Sequence, residues 1–261
     1  MMIARFSRLG GRLLGIAVFL AALGLWEAWA RIEPSFVFPP ASAIVERAWE
    51  IWPTSEFLRM VAPSLERLAA GYAIGAGVGI AVGVVMGASL PIRQMLGPLV
   101  EILRATPPIA IVPAAIVILG LGDSMRITVI AFGVLFPVLV NSVDGVRAVS
   151  PEARDTASLL RLGFIERILR IYFPAALPSI FAGLRVALSI GLVMVVISEF
   201  VGGSDGIGYY ILFEQTTYNV NEVYGGILFL GLLGYVLNTL FLLAEQRVLA
   251  WHYGAVGERA R

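Results

Sequence analysis

The sequence predicts an all-α, polytopic membrane protein with six transmembrane helices and a long loop of helical character between spans four and five. Three observations carry that prediction. Of 261 residues, 59% are hydrophobic and 14% are charged, and mean hydropathy is +0.87; a soluble domain carries about 25% charged residues. Apolar runs of about 20 residues recur along the chain, each long enough to cross a bilayer as a helix. Between them sits one polar island, residues 150–178, with four arginines and three acids.

Composition also excludes chemistry. Cysteine is absent, so neither a disulfide nor a thiolate metal site can form. His252 is the one histidine, and no metal site is expected. All 19 basic residues are arginine. A Walker A nucleotide site needs a lysine against the phosphates, so this chain does not hydrolyse ATP by that route. With one histidine and no cysteine, an intramembrane enzyme finds no nucleophile–base pair, and no catalytic residue is expected. A net charge of +1 without a basic tail gives no reason to expect a nucleic-acid partner.

In order, residues 1–12 form a basic leader with Arg5, Arg8 and Arg12. Residues 13–30 form the first span, apolar except for Glu27. Ala28-Trp29-Ala30 mimics a signal-peptide cleavage site, but the apolar stretch is longer than a signal core and five spans follow, so an uncleaved span is the better reading. The first loop, 31–62, holds an extended Phe38-Pro39-Pro40 and then a short helix through Trp52. Ser42 is its expected N-cap, with Val45, Trp49 and Trp52 on one face.

The second span is 68–89. Gly71, Gly75, Gly79, Gly83 and Gly87 repeat every fourth residue, a smooth stripe against which another helix can pack backbone to backbone. Close packing is preferred over a sliding gate. A short turn at 91–94 leads to the third span, 96–121, with Glu101, Arg104 and Thr106-Pro107-Pro108. The prolines kink it. Glu101 and Arg104 stand three apart on one face, positioned to pair. Charges in a span face a cavity, a partner or an interface; an interfacial ion pair and a substrate contact both stand as readings. The fourth span is 126–146, with Pro137, Asn141 and Asp144. The fifth, 179–201, carries Arg185 early and Glu199 late. Glu199 either lines a translocation path or gate, or makes a structural salt bridge. A glycine-rich turn, 202–208, precedes an external segment to Asn219. The sixth span is 223–243, and 246–261 form a polar tail. The whole chain reads as a single membrane domain.

Six spans place both termini on one side. With the N-terminus inside, twelve arginines fall on the cytoplasmic side and five outside (Arg31, Arg47, Arg59, Arg67 and Arg126). The positive-inside rule therefore predicts cytoplasmic termini and a cytoplasmic 150–178 loop.

Within that loop, Leu159, Leu162, Ile165 and Leu169 recur at helical spacing, as in a helix lying at a membrane face. Asp155-Thr156-Ala157, then residues 167–173 and Pro174-Ala175-Ala176-Leu177-Pro178, followed by residues 182–188, resemble the EAA loop of ABC importer permeases, closest to the nitrate/sulfonate/taurine subgroup. Phe38-Pro39-Pro40, the acid–arginine–Pro-Pro pattern, Glu199, Gly206-Ile207-Gly208 and Trp251-His252 extend the resemblance over nearly the whole chain. Counted back from Pro174, the family's glutamate falls on Asp155 and its usual glycine on Arg161, with Gly163 two residues late. A shifted or reshaped helix break is therefore expected.

The resemblance implies that Arg154, Asp155, Thr156, Ala157, Ser158, Leu160, Arg161 and Gly163 meet a partner ATPase, which binds the ATP and Mg while this chain holds no cofactor. It implies a path or gate involving Glu101, Arg104, Pro107, Pro108 and Glu199. It also implies a second copy of the chain, an extracytoplasmic substrate-binding protein, membrane lipid around it, and residence in the bacterial inner membrane. The substrate class it implies is a small anion: a sulfonate, taurine, nitrate or an aromatic acid. A stand-alone secondary transporter or channel is the alternative, and it would show ion-coupling charges in mid-span or an inverted repeat.

Overall fold

The computed structural model describes the backbone of residues 2–251 and the side chains of residues 14–251; the side chains of the leader and the end of the tail, with His252, lie outside the described residues. Every element among the described residues is helical. Five helices are long and apolar enough to cross a membrane, and a sixth crossing is available if one bent pair counts as a span.

The chain divides into two compact units, Met1–Leu58 with Tyr210–Leu230, and Arg59–Tyr209 with Gly231–Arg261. The first holds α1 (Met2–Ile32), α2 (Ala41–Ile51) and the opening turn of α3 (Ser55–Ala88). Pro40, not Ser42, is the N-cap of α2. Its ring has no polar atom, so the helix N-terminus takes its acceptor from elsewhere. Glu27 of α1 supplies it: Ser42 donates its backbone N–H to Glu27 Oε2 at 3.0 Å and its hydroxyl to Oε1 at 2.7 Å. Trp49 and Val45 are exposed, while Ile44 and Ala48 are buried. Trp52 donates its indole N–H to the Gly225 carbonyl at 3.3 Å. Phe57 meets Tyr210 and Phe229 edge-on, with ring centroids 5.2 and 4.9 Å away.

The second unit is built on α6 (Asp123–Arg147), packed between α3 and α9 (Phe173–Phe200). Met125, Val129, Ile130, Val134 and Val138 of α6 are fully buried, and Leu68, Ala187 and Met194 close the core around them. The glycine stripe of α3 lies directly on α6. A Cβ added at Gly75 would stand 2.4 Å from the Ala131 carbonyl oxygen, and one at Gly83 would stand 2.6 Å from that of Leu139. Such contact gains dispersion energy where lipid gives no hydrophobic drive between helices. On the other side of α6, Gly183 of α9 sits against Asn141 and Pro137.

Several boundaries move. The second span starts at Ser55 rather than 68, with Pro63 inside it. Residues 91–94 are helix, because Pro91 falls at the start of α4 (Leu90–Ala105), where its missing N–H is unneeded. The third span is no single kinked helix. After α4 the chain turns by 93° into a 3₁₀ turn (Pro108–Ile111) and α5 (Val112–Leu119). Thr106 and Pro107 are extended, at ψ 121 and 129, as a residue before proline prefers. α6 starts at Asp123, and α11 (Val220–Val248) runs past the expected end at 243. The segment after the glycine-rich turn is also a helix, α10 (Ile207–Thr216).

The stripe yields a paired prediction. Gly75→Ala should lower the thermal midpoint of the purified chain, since overpacking costs about 1–3 kcal/mol. Gly77→Ala, with nothing within 4 Å of the added Cβ, should leave it unchanged or slightly raised. Equal midpoints for the two variants would show that the stripe is no contact.

Candidate functional site

Three clusters hold the residues the sequence points to. The first surrounds Glu199, which has no exposed surface near the end of α9. Its carboxylate accepts from Ser64 Oγ at 2.7 Å, Arg67 Nη1 at 2.9 Å and the Gly208 backbone N–H at 2.9 Å. Arg67 spends its remaining donors on Asp123, at 2.7 Å, and on both oxygens of Asp205, at 2.9 Å. Arg126 bonds the same Asp205 at 3.0 Å. Burial alone would raise the Asp205 carboxyl, but the two guanidiniums hold it below its ordinary value.

The glycines of the 202–208 turn follow from this cluster. Gly206 has φ +107, and a Cβ there would come within 2.3 Å of the Glu199 carboxyl carbon. Only a bare backbone can lie over the acid and turn Gly208 N–H toward it. Sequence alone counts Arg67 and Arg126 on the external side, Arg126 as the first residue of the fourth span, and does not bring this cluster together. The available signal was the i, i+3 pair Ser64–Arg67 inside a helix that extends upstream of 68.

The second cluster is the polar island. Ser150 caps α7 (Pro151–Leu159) by accepting the Ala153 N–H at 3.3 Å. α7 ends at Leu160, and Arg161 takes φ 50, the left-handed region. Of the two alternatives, a shifted or a reshaped break, the chain shows a turn at Arg161 itself, with an arginine in the left-handed conformation. Gly163 instead opens α8 (Phe164–Arg167), and the Glu166 carboxylate accepts its N–H at 3.1 Å. A π-helical turn, Ile168–Tyr172, then runs into α9. Arg154 reaches back to the Arg147 carbonyl at 2.7 Å, at the C-terminal end of α6. Arg154, Asp155, Thr156, Ser158, Leu160, Arg161 and Gly163 are exposed. Ala157 is fully buried, so its methyl packs the loop rather than facing outward. The outward apolar face, which the sequence reading only partly anticipated, is Leu159 (84% exposed), Leu160 (65%), Phe164 and Ile165.

The third cluster is the proline bend. Arg104 Nη2 donates to Glu101 Oε2 at 2.7 Å, and both side chains are more than half exposed. Beside them lies a cleft of ≈ 340 Å³ lined by Arg104, Thr106, Pro108, Phe136, Pro137 and Asn141, among others. Glu199 lies outside it, so the structure does not join Glu199 to Glu101 and Arg104.

Two variant sets check these descriptions. Arg67→Gln should destabilise more than Glu199→Gln, because it leaves a buried carboxylate unpaired, at about 3–5 kcal/mol. Combining the two should recover part of that loss in the melting temperature. A Glu199→Gln chain as stable as the parent but defective in transport would instead place Glu199 on the path. Because Asp205 is paired, its stabilising effect should hold above about pH 4 and fall away as pH drops through its lowered value; Asp205→Asn should flatten that slope. In the loop, Arg161→Gly should raise stability by about 1 kcal/mol by removing the left-handed penalty. An unchanged midpoint would show that the turn is unstrained.

Known transport proteins resemble the chain over most of its length. The chain is 29% identical over 243 residues to the putative aliphatic sulfonates transport permease protein SsuC of Bacillus subtilis, covering 92% of this chain and 88% of that one. It is 30% identical to the bicarbonate transport system permease protein CmpB of Synechococcus elongatus, covering 93% and 91%. Among solved structures, an amino acid ABC transporter crystallised with histidines matches with a TM-score of 0.58 at 17% identity, over 74% of this chain and 92% of that one, which speaks to fold alone. Residues 75–249 match the family described as binding-protein-dependent transport system inner membrane component. That match takes in the stripe from Gly75 on, the proline bend, the polar island, and Arg126, Glu199 and Asp205 of the buried charge cluster, while Ser64, Arg67 and Gly71 lie before it; the chain belongs to this family of ABC importer permeases.

Proposed function

We propose that two copies of this chain form the translocation path of an ATP-driven importer for a small anion. A separate ATPase docks on the 150–178 loop, and an extracytoplasmic binding protein delivers the substrate. The observation that carries this reading is the exposed loop itself: two short helices folded about Arg161, with Leu159, Leu160, Phe164 and Ile165 turned outward. An apolar patch on a polar segment between membrane helices suits a protein partner.

Orientation supports it. Arg67 and Arg126 are buried in α3 and α6 and paired with acids, so they drop out of the external count. That leaves Arg31, Arg47 and Arg59 against twelve arginines on the loop's side. The loop then faces the cytoplasm, where ATP is available, with both termini beside it. The substrate class follows the relatives, which are named for sulfonates and bicarbonate.

Mechanically, α7 is tied to the end of α6 by Arg154, and α8 continues through the π turn into α9. A push on the loop therefore reaches two packed spanning helices, and the bundle's two states are biased by how strongly the ATPase holds the loop in each. ATP and Mg bind the ATPase.

The test is co-purification with an ATPase encoded beside this chain. Leu159→Glu with Leu160→Glu should reduce the recovered ATPase at least tenfold while the melting temperature holds, since both side chains are exposed. Ala157→Glu should unfold the loop and serves as the contrast. Transport by the intact chain without any bound ATPase would establish the stand-alone transporter instead.

A further inference from the structure

We propose that the cleft beside the Thr106–Pro107 bend is an anion-selective station, and that Arg104 is the residue that reads the charge. This rests on the reading that the bend lies on the translocation path, and it names the chemistry of that site.

Among the described residues, Arg104 is the single charged one lining the cleft. The opposite walls come from α6 and α9, with Phe136, Val140, Val186 and Ile190 presenting apolar groups. A guanidinium at the wall, with its carboxylate partner outside the lining, sets up a positive potential against the low-dielectric side chains opposite, which attracts anions and repels cations. Glu101 does not line the cleft. It bonds Arg104 from the neighbouring turn, and the two are 67% and 51% exposed at the side chain. Such a pair is worth about 0–1 kcal/mol, so an entering anion can take its place. Arg104 carries five N–H donors and the pair uses one of them. Asn141 gives one amide N–H to the Pro137 carbonyl at 2.8 Å, and its second N–H remains for a ligand in the cleft. A planar fork with an amide beside it matches a delocalised oxyanion such as a sulfonate, carboxylate or bicarbonate. The volume, ≈ 340 Å³, suits a small solute.

The absence of cysteine makes a direct test clean. Val186→Cys places one thiol on the cleft wall of the otherwise intact chain. Its modification rate is measured with 2-sulfonatoethyl methanethiosulfonate, an anion, and with the trimethylammonium-ethyl analogue, a cation. Each rate is divided by that for a free small thiol. The expected normalised ratio favours the anion by about tenfold, one step of 1.4 kcal/mol in activation free energy. Adding Arg104→Gln should bring it to one or below, Arg104→Lys should keep most of it, and Glu101→Gln should raise it. A ratio that ignores Arg104→Gln, or a preference for the cation, overturns the proposal. If position 186 reacts with neither reagent, Ile190→Cys decides, and silence at both overturns it too, because the cleft is then closed to water. The labelling needs neither ATPase nor transport. A chain that captures its ATPase but labels without charge preference keeps the importer reading and loses the station; the reverse result keeps the station and loses the importer.

Discussion

A carboxylate with no exposed surface has to be neutralised where it stands, and one end of the larger unit is arranged to meet that requirement at Glu199. Ser64 and Arg67 of α3 and the Gly208 N–H at the start of α10 donate to it. Asp205 then balances both Arg67 and the Arg126 of α6, with Asp123 also paired to Arg67. The cluster ties the helices that the glycine stripe brings into contact. Apolar packing between α3 and α6 fixes their distance, while the directional bonds around Glu199 fix their rotation and their register along the axis.

The two ends of the bundle thus differ in kind. One end is locked by a charge cluster with few exposed groups. At the other, α7 and α8 stand out from the helices on short tethers: Arg154 to the end of α6, and the π turn into α9. A π turn is a poorer hydrogen-bonding geometry than an α-helix, and such turns collect at functional places. The charge cluster and the loop thus sit at opposite ends of α6 and α9.

How far the sequence could be read depended on which signals are local. Hydropathy marks the spans, and a four-residue glycine repeat marks a contact, because both are properties of one helix. The Glu199 cluster is assembled from positions as far apart as Ser64 and Gly208, and nothing within any one segment says that their charges meet. Arg67 and Arg126 look like residues at the outer margin of a span because charge normally marks a span's edge; the partner acids stabilise them where they are buried within helices. The bend failed differently. Two prolines signal a kink, but its size depends on Thr106 and Pro107 both going extended, a cooperative choice made with the packing of α5 on α6. At Arg161 the left-handed turn is imposed by the helices on either side and overrides the residue's own preference.

The helix α4 buries none of its residues. Sixteen residues make an arm about 24 Å long, carried by the turn at its start and the bend at its end. Ile92, Arg93, Leu96, Gly97 and Val100 are half-buried and the rest are exposed. The exposed side carries Met95, Leu99 and Ile102, large apolar groups that need cover from lipid or from a neighbouring chain. The helix that holds Arg104 at its tip is thus clad on one side by its own protein and on the other by whatever surrounds it.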